Sequence, residues 1–225
     1  MTAPSTLPTN EASALRGFGP AGIAAVAVIL ASTFITNILA AVLVLVWASW
    51  SQTPWREIGY VRPTSWPRTV AIAVVAGVAL KFALKAVVMP LLGADPVNHV
   101  YHYIAGNTAV LPGVVFLVIV SGGWAEETLF RGFAFERLGR LFGSSAAAKT
   151  GIVAFTSLWF GAAHYSVQGF AGAEQAVITG AVFGTAYAMT GRLVPVMIAH
   201  AAYDLAAIAI IYWDLETAIA RSIIR

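Results

Sequence analysis

With no cysteine in its 225 residues, the chain must do any chemistry with Glu, Asp, His, Ser, Thr, Tyr, Lys or Arg, and it holds ten acidic residues and four histidines. Three groups of them sit inside apolar sequence. Glu126, Glu127 and Arg131 form a Glu-Glu-x-x-x-Arg run, Phe160 and His164 are four residues apart, and so are His200 and Asp204. An ionisable side chain at membrane depth costs roughly 2.5–3.5 kcal/mol on insertion scales, so each is a functional suspect by default. On a helix, Glu127 and Arg131 are i,i+4 neighbours and form an ion pair, which makes both charges tolerable. Glu126 is turned about 100° from Glu127. Only one of the two carboxylates then pairs well with Arg131, and the spacing leaves Glu126 free for chemistry. Asp204, one turn from His200, is placed to orient the imidazole or set its tautomer.

A glutamate with two histidines points to water activation. A carboxylate in low-dielectric surroundings is a better base than in water, and the histidines either hold the water or stabilise an oxyanion. Glu126, His164 and His200 would equally make a two-histidine, one-glutamate zinc set, and spacing leaves both readings open. The lack of cysteine removes thiol nucleophiles, disulfides and zinc-thiolate sites. His99 and His102, i,i+3, tempt a metal reading, but with Asn98, Tyr101 and Tyr103 around them they read as interfacial anchors.

The elements that must carry these residues are membrane helices. Hydrophobic residues are 59% and charged residues 10%, with a mean hydropathy of +0.81; a soluble domain has about 25% charged residues. The net charge of +3 provides no basic patch for nucleic acid. A span needs about 20 mostly apolar residues, which predicts six: 20–48, 69–92, 111–131, 151–168, 173–190 and 193–213. The third continues as an amphipathic helix beyond the bilayer. Residues 1–19 read as a disordered tail, 20–110 as N-terminal spans and loops, 111–213 as the functional core and 214–225 as a C-terminal tail. The run 21–50 is too long for a secretory signal core of ~7–15 residues and reads as a retained anchor. The fold class is all-α, polytopic, with about six transmembrane helices around a polar cavity. Arg56, Arg62 and Arg68 in the first loop, Arg137, Arg140 and Lys149 in the third and Arg192 in the fifth make the odd loops cytoplasmic. Both termini then lie outside, which puts Arg16, Arg221 and Arg225 on the wrong side. Lys81 and Lys85, one turn apart in the second span, read as snorkelling outwards. Trp47, Trp50, Trp55 and Trp66 flank the first loop as interface anchors.

Depth can be counted along the helices. Glu126 lies 19 residues before Ser145 and His164 lies 19 after it, so a hairpin brings both about 28 Å from its tip. His200, nine residues past Gly191, lies about 13 Å from the next tip. If the first hairpin projects about 15 Å further, the clusters converge in the cytoplasmic half of the bilayer.

Together, in this order, the clusters resemble the CPBP family of CAAX prenyl proteases, bacteriocin-processing and abortive-infection proteins. Its motifs are Glu-Glu-x-x-x-Arg, Phe-x-x-x-His and His-x-x-x-Asn or Asp. The resemblance covers about 111–213 and includes Leu129-Phe130-Arg131-Gly132. It implies a helical membrane bundle with a cavity open to the cytoplasm and peptide-bond hydrolysis in the cell membrane. The substrate would be a membrane-associated peptide or protein, either CAAX-type prenylated or a leader peptide. It makes Glu126 the water-activating residue, Glu127 its support, Arg131 the motif arginine, and His164 and His200 the catalytic histidines. Asp204 stands where Asn is usual; ionised Asp cannot donate a hydrogen bond to an oxyanion, whereas Asn can. Phe160 and Tyr203 are placed as substrate-binding, though packing alone accounts equally well for Phe160 and Tyr203 carries no chemical step. Family members are described both as metalloproteases and as metal-free glutamic proteases. The absence of a His-Glu-x-x-His helix favours no cofactor, with zinc as the alternative. A non-enzymatic immunity or scaffolding protein could use the same cavity for binding. A transporter would need a repeat that is not visible.

Overall fold

The computed structural model describes residues 9–223, and these form helices and connecting turns with no strand among them. In chain order the helices are α1 (Thr9–Arg16), α2 (Pro20–Ser32), α3 (Asn37–Trp50), α4 (Trp66–Leu91), α5 (Leu111–Phe142), α6 (Ala146–Thr190), α7 (Leu193–Tyr212) and α8 (Glu216–Ala220). By length and composition α4, α5 and α7 can each cross a membrane, and a fourth span arises if α1 and α2, bent by 55°, count as one.

The expected single span 20–48 is instead two helices. Ser32 and Thr33 bond back to the carbonyls of Ile29 and Leu30, and extended Thr36 caps α3 by accepting from the Ile38 N–H. Hydroxyls that compete for backbone groups in this way end one helix and start the next. The chain turns back on itself, because Trp47 Nε1, near the end of α3, donates to the carbonyl of Leu15, before α2. Trp47 is therefore buried rather than an interface anchor. Arg16 pairs with Glu57, and its carbonyl accepts from Arg137. Arg16 thus shares a face with the first and third loops, contrary to the outside placement expected for it. At 1.5 Å per residue, each arm is only about 20 Å long, short of a ~30 Å hydrocarbon core.

Neither end is simply a tail. Thr9–Arg16 is helical where disorder was expected, and residues 1–8 lie outside the described residues. At the other end α8 is anchored by Glu216, 1% exposed; residues 224–225 also lie outside the description.

Helix α6 reverses at Gly169, whose φ of +66° only glycine adopts freely. A Cβ at Gly161 would stand 2.3 Å from Val177 Cγ2, and one at Gly180 would stand 3.0 Å from Ser157 Cα. Both pairs are centred on residue 169, so 146–168 and 170–190 lie antiparallel, as the two expected spans would. The seam of α4 with α7 is also close, since a Cβ at Gly77 would meet the Ala199 carbonyl oxygen at 2.1 Å. Helix α5 continues past the expected span, and its end docks inwards. Arg137 lies 4.4 Å from the Trp47 ring and 5.2 Å from that of Phe18.

Candidate active site

Helix α5 is widened into π-type turns over Val118–Glu126 and Thr128–Phe133, a distortion frequent at functional sites. It displays its two adjacent glutamates in different directions. Glu127, fully buried, accepts through Oε1 from Arg131 Nη1 at 2.7 Å and from His200 Nδ1 at 2.6 Å. The i,i+4 pair read from sequence is present, and it reaches across to α7. Arg131, 1% exposed, also points Nη2 at the Gly180 carbonyl (3.4 Å) and lies 4.8 Å from the Phe160 ring. Because Nδ1 of His200 is held by Glu127, its Nε2 is left facing Asp204 Oδ2 at 3.5 Å. Asp204 is therefore the second partner of His200, and Glu127 is the closer one.

Glu126 is half-buried, and its Oε1 accepts from Asn37 Nδ2 at 3.1 Å. His164 Nδ1 lies 2.8 Å from the Phe160 carbonyl. A carbonyl only accepts, so Nδ1 carries the proton and neutral His164 presents a bare Nε2 lone pair. Glu126, His164, His200 and Asp204 all line one cavity of about 530 Å³. Glu127 and Arg131 stand behind that wall. Phe160 is 2% exposed and packs against His164 with the rings tilted by 57° and centroids 4.4 Å apart; Tyr203 is 4% exposed. Both border the cavity with little free surface.

The cavity runs from these groups to the face built by residues 94–104, the Gly169 turn and α8, and no residue of the first, third or fifth loop lines it. Residues 94–104 form the end of the cavity taken as its mouth. At the mouth the Val97 N–H, 2.8 Å away, and then His99 hold the Asp95 carboxyl below the usual carboxylate range. Burial pushes the Tyr101 phenol up, so it stays neutral and accepts from Gln168 Nε2 at 3.1 Å.

Several residues around the site went unread in the sequence. Asn37 is 89 positions from Glu126. Gly122 is where a Cβ would stand 2.7 Å from Asp204 Oδ2, so its bare backbone makes room for that carboxylate. Gly-Gly in a charged-motif helix was the available signal. Lys81 does not snorkel: it is 8% exposed, with Nζ 4.9 Å from the Tyr203 ring centroid. Lys85 bonds the Pro96 carbonyl and lies 3.3 Å from Glu216. His102 also meets Glu216, at 3.3 Å, and His99 pairs with Asp95. Among the described residues no three His, Asp or Glu side chains are grouped as a metal ion would require.

Residues 108–206 match the family model described as type II CAAX prenyl endopeptidase Rce1-like. The match agrees with the motif resemblance, spans all six polar motif residues and points to a membrane protease. No curated protein and no solved structure was matched.

Proposed function

We propose that this Rce1-like chain is an intramembrane endopeptidase that hydrolyses membrane-associated peptides, CAAX-type or leader-type, with a water activated by Glu126. The division of labour between adjacent glutamates carries the reading. Glu127 is occupied by Arg131 and His200, while Glu126 borders the cavity with one amide partner. Glu126 takes a proton from water as the oxygen attacks the scissile carbonyl. The C–N bond then breaks, and that proton leaves on the departing amine. His164 accepts a hydrogen bond from the same water at Nε2. His200, doubly protonated and steadied by Glu127, donates Nε2–H to the oxyanion, and Asp204 holds that ring between turnovers. Positioned acid–base groups of this kind are worth typically 10²–10⁴-fold.

Purified Glu126→Gln protein should keep wild-type thermal stability and lose at least ~100-fold in cleavage, read by comparing the peptides of cells carrying each form. Turnover near wild type removes the assignment and favours a binding or immunity role. Hydrolysis should survive chelation; complete loss with rescue by zinc would establish the metal alternative.

In topology, α4, α5, both limbs of α6 and α7 cross the membrane, and the α2–α3 hairpin dips in from the Arg-rich face. Its exposed tip, Phe34 and Ile35, suits lipid. The charge rule places the Arg-rich face in the cytoplasm and the cavity mouth opposite. A single cysteine at Ser145 should resist impermeant maleimide in intact cells; labelling there would turn the molecule over.

A further inference from the structure

The first loop reaches the glutamate-bearing turn of α5 through Tyr60. The Tyr60 hydroxyl oxygen accepts from Trp124 Nε1 at 2.9 Å and lies 2.8 Å from Thr128 Oγ1. Thr128 in turn donates its hydroxyl proton to the Trp124 carbonyl at 2.7 Å. A carbonyl only accepts, so the Tyr60 hydroxyl is the donor to Thr128. Three hydrogen bonds therefore close a ring, and its two α5 members bracket Glu126 and Glu127. Thr128 is fully buried. Burial raises the Tyr60 phenol above its usual range, so it stays protonated and keeps donating. The loop is itself held in place. The Gly59 carbonyl accepts from the Leu193 N–H at 2.8 Å. A Cβ on Gly59 would stand 2.5 Å from Tyr187 Cε2, and one on Gly132 would stand 3.0 Å from the Ile58 carbonyl oxygen.

In this turn the register of the helix decides the chemistry. Helix α5 is π-type on both sides of Glu127. A π turn closes over one more residue than an α turn, so relaxing it to α geometry rotates the residues beyond it by about 100°. That is the angle between the two adjacent glutamates. We propose that Tyr60 is a positioning residue whose hydroxyl, through Trp124 and Thr128, locks this register so that Glu126 faces the cavity and Glu127 faces His200. The inference rests on the peptidase reading, which makes the direction of Glu126 matter. Asn37 and His200 hold the two carboxylates at their tips. Tyr60 and Thr128 instead hold the backbone that carries them, at the Trp124 carbonyl.

The experiment uses the full chain in lipid nanodiscs. The chain has no cysteine, so Glu126→Cys puts a single thiol at the cavity wall, and its alkylation by iodoacetamide is timed by mass spectrometry. Ala207→Cys, which lines the same cavity from α7, is the control. Adding Tyr60→Phe should slow the Glu126→Cys thiol by about five-fold or more, the worth of one hydrogen bond, and leave the Ala207→Cys thiol unchanged. Thr128→Val should match it, and the two together should slow the thiol no further, because they break one ring. Thr128→Ser should react at the parent rate. A Glu126→Cys thiol that reacts as fast or faster with Tyr60→Phe, equal slowing of both thiols, or full additivity of the two changes overturns the proposal. Loss of monodisperse protein in both Tyr60→Phe and Thr128→Val marks a structural role and also overturns it; if one variant is lost, the other decides. The thiol rates need no turnover, so the peptidase reading fails separately, by the Glu126→Gln comparison. Any peptide which that comparison identifies should be cut by Tyr60→Phe with kcat lowered by a similar factor and KM unchanged. An unchanged kcat there removes the positioning role and leaves the peptidase reading.

Discussion

Two buried glutamates, Glu127 and Glu216, each meet a cation and a histidine, yet they are built differently. Glu127 takes Arg131 and His200 on one oxygen, and its Oε2 has no partner among the described residues. Glu216 uses both oxygens, Oε1 for Lys85 and the Asn98 N–H and Oε2 for His102. The partners of Glu127 lie on long helices and are almost fully buried. Those of Glu216 include a loop backbone and a His102 whose side chain is 45% exposed. A carboxylate with its hydrogen bonds fully taken serves to hold structure together, here the loop, α4 and α8 around the cavity mouth. One with unspent capacity beside His200 suits the setting of that histidine's orientation. The first kind of site is judged by stability and the second by rate.

The largest effect should come from Arg131→Ala. It leaves Glu127 buried with His200 as its remaining partner, a loss of up to roughly 3–5 kcal/mol, read as the yield and melting temperature of monodisperse protein. A fully stable variant would remove the ion pair from the account. Asp204 comes next and tests the histidine's other side. Asp204→Ala should lower the cleavage rate by up to ~2.7–4 kcal/mol of barrier if the group supplies an oxyanion donor, whereas Asp204→Asn should match or exceed wild type because an amide both donates and accepts. Equal damage from both would make the carboxylate itself a base or a ligand. At the mouth, Glu216→Gln removes a charge from Lys85 and should cost about 1.5–3 kcal/mol of stability, with cleavage per folded molecule changed far less than by Asp204→Ala. A rate loss as deep as that of Asp204→Ala would erase the distinction between the two glutamates. His102→Ala, half-exposed, should cost under ~1 kcal/mol, measured by the same thermal unfolding.

The two sites also differ in how visible they were in the sequence. Glu127 with Arg131, and His200 with Asp204, are one-turn spacings, and helical periodicity alone puts such residues on one face. Glu216 meets Lys85 and His102 across 131 and 114 positions, which no periodicity encodes. The Glu127–His200 bond itself, 73 positions apart, lay between the two, since depth counting brought the clusters to one level without saying which atoms would touch.

The break at Ser32 to Thr36 went unread for a different reason. Hydropathy sums a window, and 20–48 is apolar throughout; whether four hydroxyl-bearing and β-branched residues bend a helix or ride within it depends on what the two arms can pack against. Sequence by itself settled the membrane class, the helical fold, the family resemblance of the core and the residues capable of chemistry, because composition and local spacing are properties of the chain alone. Tertiary structure decided that Glu126 meets Asn37, that Lys81 turns inwards, and that residues 94–104 join the motif residues in lining one cavity. Each of these depends on which distant helices share a surface, and close packing through Gly77, Gly122 and the Gly169 reversal selects that arrangement from the many that the same hydrophobic pattern would allow.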